Sequence, residues 1–189
     1  MAFIVNKVAA DAFNYIPQGA GLVLSKFDPA KPVTPPDEDI LFATDGGINA
    51  SCTATYVDGA DGIDNVPAGA MEFQELDGWE CKLTFTAVTM NAASAKIAIG
   101  PATVTDNKIT PKDTLELSDF TDQIWLIVKM GKKGLIAICL KHVLSTSGMS
   151  LQTTNKGKGK FTVDLTGHVS ASNVTECPME IYIIQEVTE

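Results

Sequence analysis

Polar and apolar residues alternate strictly from Lys160 to Ser170. The apolar positions of this stretch are Phe161, Val163, Leu165, Gly167 and Val169. Successive side chains of a β-strand point to opposite faces, so the pattern predicts a strand with one dry and one wet face. The wet face carries hydroxyls and mixed charges, without paired carboxylates or a nucleophile beside a base. It is typical of a surface that meets water or a passing solute.

A second alternating run extends from Trp79 to Thr89, with Trp79 among its apolar positions. It follows the strand-like stretch Ala70–Leu76 through Asp77-Gly78. Asp-Gly between two such runs favours a tight β-hairpin turn. The sequence therefore predicts a hairpin with its turn at Asp77-Gly78.

Two further runs, Gln123–Met130 and Leu135–Val143, are apolar at both odd and even positions and flank Gly131-Lys132-Lys133-Gly134. This pattern indicates strands covered on both faces, by a helix, a second sheet or a neighbouring subunit. Met179–Val187 predicts a C-terminal strand.

The first third of the chain mixes short strands with turn signals. We expect strands at Gly21–Lys26 and Ile40–Thr44, a turn at Asp45-Gly46-Gly47, an extended segment at Ile48–Tyr56 and a loop at Asp58–Gly69. Asp28–Asp39 contains four prolines, which lack the amide proton that a sheet ladder needs. This segment is predicted to be an extended loop or arm.

One helix is predicted, over Asn91–Ile99, because the stretch is alanine-rich, begins with a capping residue and is stopped by Gly100-Pro101. With about seven to nine strands, the fold class is mainly β, a sandwich or barrel with one flanking α-helix.

Length and composition fit a single soluble domain of 189 residues, with 45% hydrophobic and 20% charged residues. We expect neither a membrane span nor a secretory signal, and therefore folding in a cytoplasm. The net charge is −9, and all 14 basic residues are lysine. Arginine is preferred for bidentate contacts to phosphate and guanine, so its absence argues against specific nucleic-acid recognition. The net charge is −10 over residues 1–80 and +1 over residues 81–189. This asymmetry suits head-to-tail stacking of copies, but an unequal distribution of loops between the two halves would give it too.

No residue pattern predicts an enzyme, a cofactor or a metal site. The four cysteines, Cys52, Cys81, Cys139 and Cys177, are widely spaced without a C-x-x-C pair, and we expect buried free thiols. Asp58, Asp61 and Asp64 lack the spacing of a calcium loop, and Gly157-Lys158-Gly159 lacks that of a phosphate loop. His142 and His168 have no ligand or catalytic partner at a useful spacing.

Several segments resemble the major tail tube proteins of long, non-contractile-tailed phages and prophages of Gram-positive bacteria. The resemblance is carried by LFATDGGINAS (Leu41–Ser51), IDNVPAG (Ile63–Gly69), FQELDGWECKLTFTAVT (Phe73–Thr89), LSTSGMSLQTTNKGKGKFTVDLTGHVS (Leu144–Ser170) and PMEIYI (Pro178–Ile183). It implies a single tail tube domain over residues 1–189, with an extended N-terminal arm and an inter-ring loop at 28–39. It also implies hexameric rings stacked into a tube, in which each subunit donates about four strands to an inner barrel.

The resemblance further implies partners: other copies of this chain, tape-measure, tail terminator and distal tail proteins, and double-stranded DNA passing without sequence recognition. The protein is then a virion component that conducts DNA during ejection, assembled in the bacterial cytoplasm without a membrane. A carbohydrate-binding or adhesion β-sandwich is the alternative, and it would require exposed aromatic side chains on one face.

Two sets of residues are assigned to the tube on this basis. The predicted lumen-facing residues are Glu80, Lys82, Thr84, Thr86, Lys160, Thr162, Asp164 and Thr166, with both lysines balanced by nearby acids. The predicted inter-ring residues are Asp28, Pro32, Pro35, Pro36, Asp37, Glu38 and Asp39. A solvent-exposed outer face is the simpler interpretation of the first set.

Overall fold

A computed structural model describes residues 8–9, 11–132 and 134–185. Within these residues the chain forms one α-helix, α1 (Ala92–Ile99), and eleven strands. The strands are β1 (Pro17–Leu24), β2 (Ile40–Phe42), β3 (Thr44–Asp58), β4 (Gln74–Ala87), β5 (Ala102–Thr105), β6 (Lys108–Pro111), β7 (Thr121–Met130), β8 (Gly134–Ser145), β9 (Ser150–Gln152), β10 (Lys160–Thr166) and β11 (Met179–Gln185). The mainly β prediction is confirmed.

The main sheet is antiparallel in the order β2-β1-β7-β8-β10-β4-β3, with β9 paired to β10 and β11 paired to β8. Only Ala43 separates β2 from β3, so one continuous segment pairs with β1 at one end of the order and with β4 at the other. The Ala43 amide donates to Thr89 Oγ1 at 2.9 Å, and the Val88 amide donates to the Ala43 carbonyl at 2.9 Å. These bonds extend the pairing of β3 with β4, and because β2 runs into β3 through Ala43 the two ends of the sheet order meet in a barrel-like arrangement.

The core lies inside this curved sheet. Phe42 packs edge-on against Phe85 and Phe161, with ring centroids 5.1 and 6.4 Å away. The alternation seen in the sequence is confirmed for β4 and β10, whose apolar positions from Cys81 and Phe161 onward are buried. Edge-to-face aromatic packing of this kind stabilises a core beyond the area it buries.

Strands β7 and β8 are covered on both faces, as predicted. Their second face carries Trp125 and Cys139, and it is covered by Phe27 from the loop after β1 and by Tyr182 of β11. The cover therefore comes from the same chain, with Phe27 and Tyr182 ring centroids 5.6 and 5.8 Å from that of Trp125.

The helix is also confirmed. The Asn91 side chain accepts a hydrogen bond from the Ser94 amide at 2.8 Å, and Ser94 Oγ accepts one from the Asn91 amide at 2.8 Å. This reciprocal capping box fixes the first turn, and Gly100 ends the helix at a φ of 90° that favours glycine. Ala95 and Ala98 are buried, so the small side chains let α1 lie close against the sheet.

Both glycine turns predicted from the sequence are wrong. Asp77-Gly78 lies inside β4, where Gly78 pairs with Thr55 and Leu76 with Tyr56, so Asp77 is the extra residue of a β-bulge. Asp45-Gly46-Gly47 lies inside β3, where the register shifts between Asp45 and Ile48. Of the strand predicted at Ala70–Leu76, Met71–Phe73 forms a 3-10 turn and Gln74–Leu76 begin β4, which pairs with distant β3 instead of a local hairpin partner.

The Pro-rich segment forms no strand between residues 25 and 36, and Asp37–Asp39 make a single 3-10 turn. Its assignment to ring contacts stays a prediction. The first seven residues of the expected N-terminal arm and the end of the predicted last strand, after Gln185, lie outside the described residues. Among the described residues, no helix is long and apolar enough to span a membrane.

Candidate functional site

The predicted lumen-facing residues form one continuous polar face on β4 and β10. Three cross-strand pairs build it: Lys82 with Thr166, Thr84 with Asp164, and Thr86 with Thr162. Paired residues of antiparallel strands project from the same face of the sheet. The structure thus brings together residues that are about 80 positions apart in sequence, while the orientation of this face towards a lumen stays a prediction.

Strand β3 adds a third row that the sequence analysis missed. Asp45 pairs with Thr86, Asn49 with Thr84, and Ser51 with Lys82. The segment Ile48–Tyr56 was expected to be extended, and the alternation of Asn49 and Ser51 with Ile48 and Ala50 was the signal that could have assigned its polar positions to this face. The polar face is therefore three strands wide, in the order β10-β4-β3.

Both lysines of the polar face have acidic partners. The Lys160 ammonium pairs with the Asp45 carboxylate, and the Lys82 ammonium pairs with that of Glu80. The hydrogen bond and the charge of Lys160 lower the pKa of Asp45. With Asp164 as a third acid, these five groups carry a formal charge of −1, so the face offers phosphate no uncompensated cation.

The apolar side of β4 continues beyond the core. Past Cys52 and Cys81 the strands β3 and β4 extend as a ribbon, in which Ala54 pairs with Trp79 and Tyr56 with Leu76. Within the described residues this stretch has no third strand. Trp79, Tyr56 and Leu76 are 40%, 64% and 53% exposed, on the same face as buried Leu83. Trp79 lies on the apolar side of β4 as predicted, but it is partly exposed because the buried core ends at Cys81.

A second exposed apolar row lies on β11. Ile181 and Ile183 are 59% and 65% exposed and pair with Ile138 and Ile136 of β8. Within the described part of the chain, β11 pairs with β8 alone, so its other edge is free. Ile136 and Ile138 also line an open cleft of about 670 Å³ that lies between β1 and the glycine bulge of β3.

The two histidines come together without forming a catalytic pair. His168 Nδ1 lies 3.1 Å from the His142 carbonyl oxygen, and the His168 ring packs edge-on against Phe120. Glu176 lines the same small cavity, of about 20 Å³, but its carboxylate is held by Lys141 and Asn173. A cavity of this size has room for about one water molecule rather than a substrate.

The cysteines depart from their predicted burial. Cys81 and Cys139 are buried as expected, but Cys52 is exposed and Cys177 is half-buried. The sheet register sets Cys52 opposite Cys81, and the loop before β11 brings Cys177 to both. Wide sequence spacing therefore did not keep these thiols apart.

Comparison with known proteins gives remote structural likenesses only. No protein-family model matches the chain, and no curated protein matches it significantly. A structure described as the virion of a native gene transfer agent (GTA) particle aligns over 80% of this chain and 92% of its own, at 13% identity and a TM-score of 0.39. A structure described as the tail of an empty GTA particle, with C6 symmetry, aligns over 80% of this chain and 92% of its own, at 11% identity and a TM-score of 0.40.

A cryo-EM structure of the anti-feeding prophage cap, a tube-terminating cap, aligns over 96% of this chain and 99% of its own, at 14% identity and a TM-score of 0.44. Likenesses at this level do not assign the chain to a family.

Proposed function

We propose that this protein is a structural virion protein that self-assembles into the tail tube of a long, non-contractile-tailed phage or prophage of Gram-positive bacteria. Hexameric rings stack into a tube that conducts double-stranded DNA, with tape-measure, terminator and distal tail proteins as partners. The observation that carries the proposal is the exposed apolar stripe of Trp79, Tyr56 and Leu76. It continues the apolar face of β3 and β4 beyond the buried core of the protomer.

This stripe requires a partner for physical reasons. Two-stranded ribbons are marginally stable in water, and contiguous exposed apolar patches mark interaction sites. A second copy of the chain covers the stripe and adds to the ribbon, so the sheet of one protomer is completed by the next.

Two unlike patches suit a ring. The first patch is the β3–β4 ribbon at one end of the sheet order. The second is the free edge of β11, with Ile181 and Ile183, which pairs with β8 in the middle of that order. When a patch meets a different patch on the next copy, the contact is heterologous and produces a ring if the rotation closes. Closure also removes free strand edges that would otherwise pair without control.

The polar face of β10, β4 and β3 then lines the bore. Six copies that contribute these three strands each give 18 strands, and at about 4.8 Å per strand the perimeter is about 86 Å before tilt. Adhesion to DNA grows with each lysine or arginine that neutralises a phosphate. Since Lys82 and Lys160 are already paired with acids, DNA slides past a face with little affinity for it.

Electron microscopy of the purified full-length chain tests the proposal. We expect rings or tubes with sixfold symmetry, and a reconstruction in which Thr84, Thr162 and Asp164 face the bore. A chain that stays monomeric at high concentration and in the presence of its tape-measure protein contradicts assembly. Tubes that carry these residues on the outer wall contradict the lumen assignment alone.

Carbohydrate binding is a second candidate, because Tyr56 and Trp79 are exposed aromatic residues on one face. Their cross-strand partners, Leu76 and Ala54, have no polar group for sugar hydroxyls. The nearby Asp58 carboxylate already accepts the amides of Ala60 and Gly69, at 3.0 and 2.8 Å. Titration with cell-wall glycans, followed by tryptophan fluorescence, distinguishes the two, since Trp79 is partly exposed and Trp125 is buried. Saturable quenching supports a sugar site and argues against a covered stripe.

A further inference from the structure

Three of the four cysteines meet at the base of the β3–β4 ribbon. The Sγ atoms of Cys52 and Cys81 are 2.9 Å apart, and Cys177 Sγ lies 3.8 Å from the first and 3.7 Å from the second. A disulfide bond is about 2.05 Å long, so these are three separate thiols in one cluster. The arrangement joins two neighbouring strands to a loop about 100 residues further along the chain.

The distances between the three sulfur atoms are close to those between the ligands of a thiolate metal site. Zinc binds cysteine sulfur at about 2.3 Å in tetrahedral geometry, which sets the ligand sulfurs about 3.8 Å apart. Both distances to Cys177 already agree with this value. The Cys52–Cys81 separation must open by about 0.9 Å, and a side-chain rotation of exposed Cys52 provides the room.

The cluster also has a graded exposure that suits metal entry. Cys81 is buried, Cys177 is half-buried and Cys52 is exposed, so one side of the cluster opens to solvent. Desolvation raises the pKa of the Cys52 and Cys81 thiols, so without a bound cation these two groups favour the protonated form. A bound cation reverses this preference because it stabilises the thiolate form.

We propose that Cys52, Cys81 and Cys177 bind one thiophilic divalent cation of the zinc class, with water at the fourth position. Binding replaces three S–H bonds with three metal–sulfur bonds and releases three protons, which leaves a charge of −1 on the metal, its thiolates and the water. All three ligands belong to one protomer, so the site does not depend on ring assembly.

The cation has a structural role at this position. It ties the loop before β11 to the Cys52–Cys81 pair of β3 and β4, where the buried core gives way to the exposed ribbon. A metal that binds the folded chain in preference to the unfolded chain stabilises it by mass action. We therefore expect the direction in which the ribbon leaves the core to be fixed by the metal.

Cobalt(II) titration of the full-length, reduced, metal-free protein tests the site, since cobalt replaces zinc and reports its ligands by absorption. We expect one equivalent to bind, with thiolate-to-cobalt charge-transfer bands and the d–d bands of tetrahedral cobalt, and zinc to displace it. Cys52→Ser and Cys177→Ser each lower the affinity at least tenfold. Cys139→Ala, which removes the remaining cysteine, leaves the spectrum unchanged.

Three results would overturn the proposal. The first is the absence of charge-transfer bands, and the second is their persistence in the Cys52→Ser, Cys177→Ser double variant. The third is a Cys52–Cys81 disulfide, found by mass spectrometry in protein isolated from a reducing cytoplasm, which would make the cluster a redox pair. Both serine variants change exposed or half-buried positions, and circular dichroism of each establishes that it is folded.

Discussion

Lys160 and Asp45 form an ion pair that crosses β4, since Lys160 begins β10 and Asp45 lies near the start of β3. The two residues are 115 positions apart in sequence. Each side chain is about half exposed, so the pair adds little to stability and chiefly removes a free cation from the polar face. Charge on this face is therefore controlled by pairing as much as by composition.

Removal of the acidic partner should increase adhesion to DNA. We expect Asp45→Asn to free Lys160 for phosphate contact and to steepen the slope of log affinity against log salt by about 0.9 per added contact. Fluorescence anisotropy of labelled duplex DNA across a salt series measures this slope. Asp113→Asn removes the same charge from an exposed position away from the face and serves as the control. Equal slopes for both variants contradict a DNA-facing role.

Loss of the apolar stripe should weaken assembly without unfolding the protomer. In the Tyr56→Ser, Trp79→Ser double variant, we expect sedimentation velocity to shift from rings or higher assemblies towards monomer. The free energy of unfolding should change less than for a core substitution, because Tyr56 and Trp79 are 64% and 40% exposed in the protomer. Leu117→Ser, at a residue that is 91% exposed outside the ribbon, is the matched control. Unchanged assembly of the double variant rules out the stripe as the interface.

The core should be most sensitive at Phe42, which contacts Phe85 and Phe161 from the segment that joins the two ends of the sheet. We expect Phe42→Ala to lower the free energy of unfolding by about 3–5 kcal/mol, through lost burial and the cavity left behind. Urea denaturation followed by tryptophan fluorescence measures the change. Phe13→Ala, at an exposed phenylalanine, should cost less than about 0.5 kcal/mol. Similar losses at both positions would place the core elsewhere.

Acid stability should depend on Asp119. Its side chain is only 1% exposed and lies 2.8 Å from Lys112 Nζ, and its other oxygen accepts the Glu116 amide at 2.9 Å. The Lys112 hydrogen bond, followed by that of the Glu116 amide, lowers the pKa of Asp119. The folded state thus binds fewer protons than the unfolded state near pH 4, where a free aspartate titrates.

The stabilisation from Asp119 is complete above that pH and disappears as the pH falls through the lowered pKa of the folded state. We expect Asp119→Asn to flatten the dependence of the unfolding free energy on pH below about pH 4. Urea denaturation at a series of acidic pH values measures it. Asp61→Asn, in an exposed loop, should retain the wild-type slope. An unchanged slope for Asp119→Asn contradicts the assigned ion pair.

The sequence by itself determined the features that depend on local periodicity. Alternation identified β4 and β10 and separated their buried positions from the polar set of Thr84, Thr86, Thr162 and Asp164. The capping residue Asn91 and the terminator Gly100 located the helix. These features were predictable because a strand repeats every two residues and a helix end needs its own hydrogen-bond partners, whatever the rest of the chain does.

Only the tertiary structure decided what depends on register between distant segments. Asp77-Gly78 is a bulge rather than a turn because β4 pairs with β3 and not with the segment before it. The exposure of Trp79 follows from where the core ends, a limit that alternation does not encode. The Cys52, Cys81 and Cys177 cluster needs both the β3–β4 register and the path of the loop before β11, and these are fixed by packing of the whole chain.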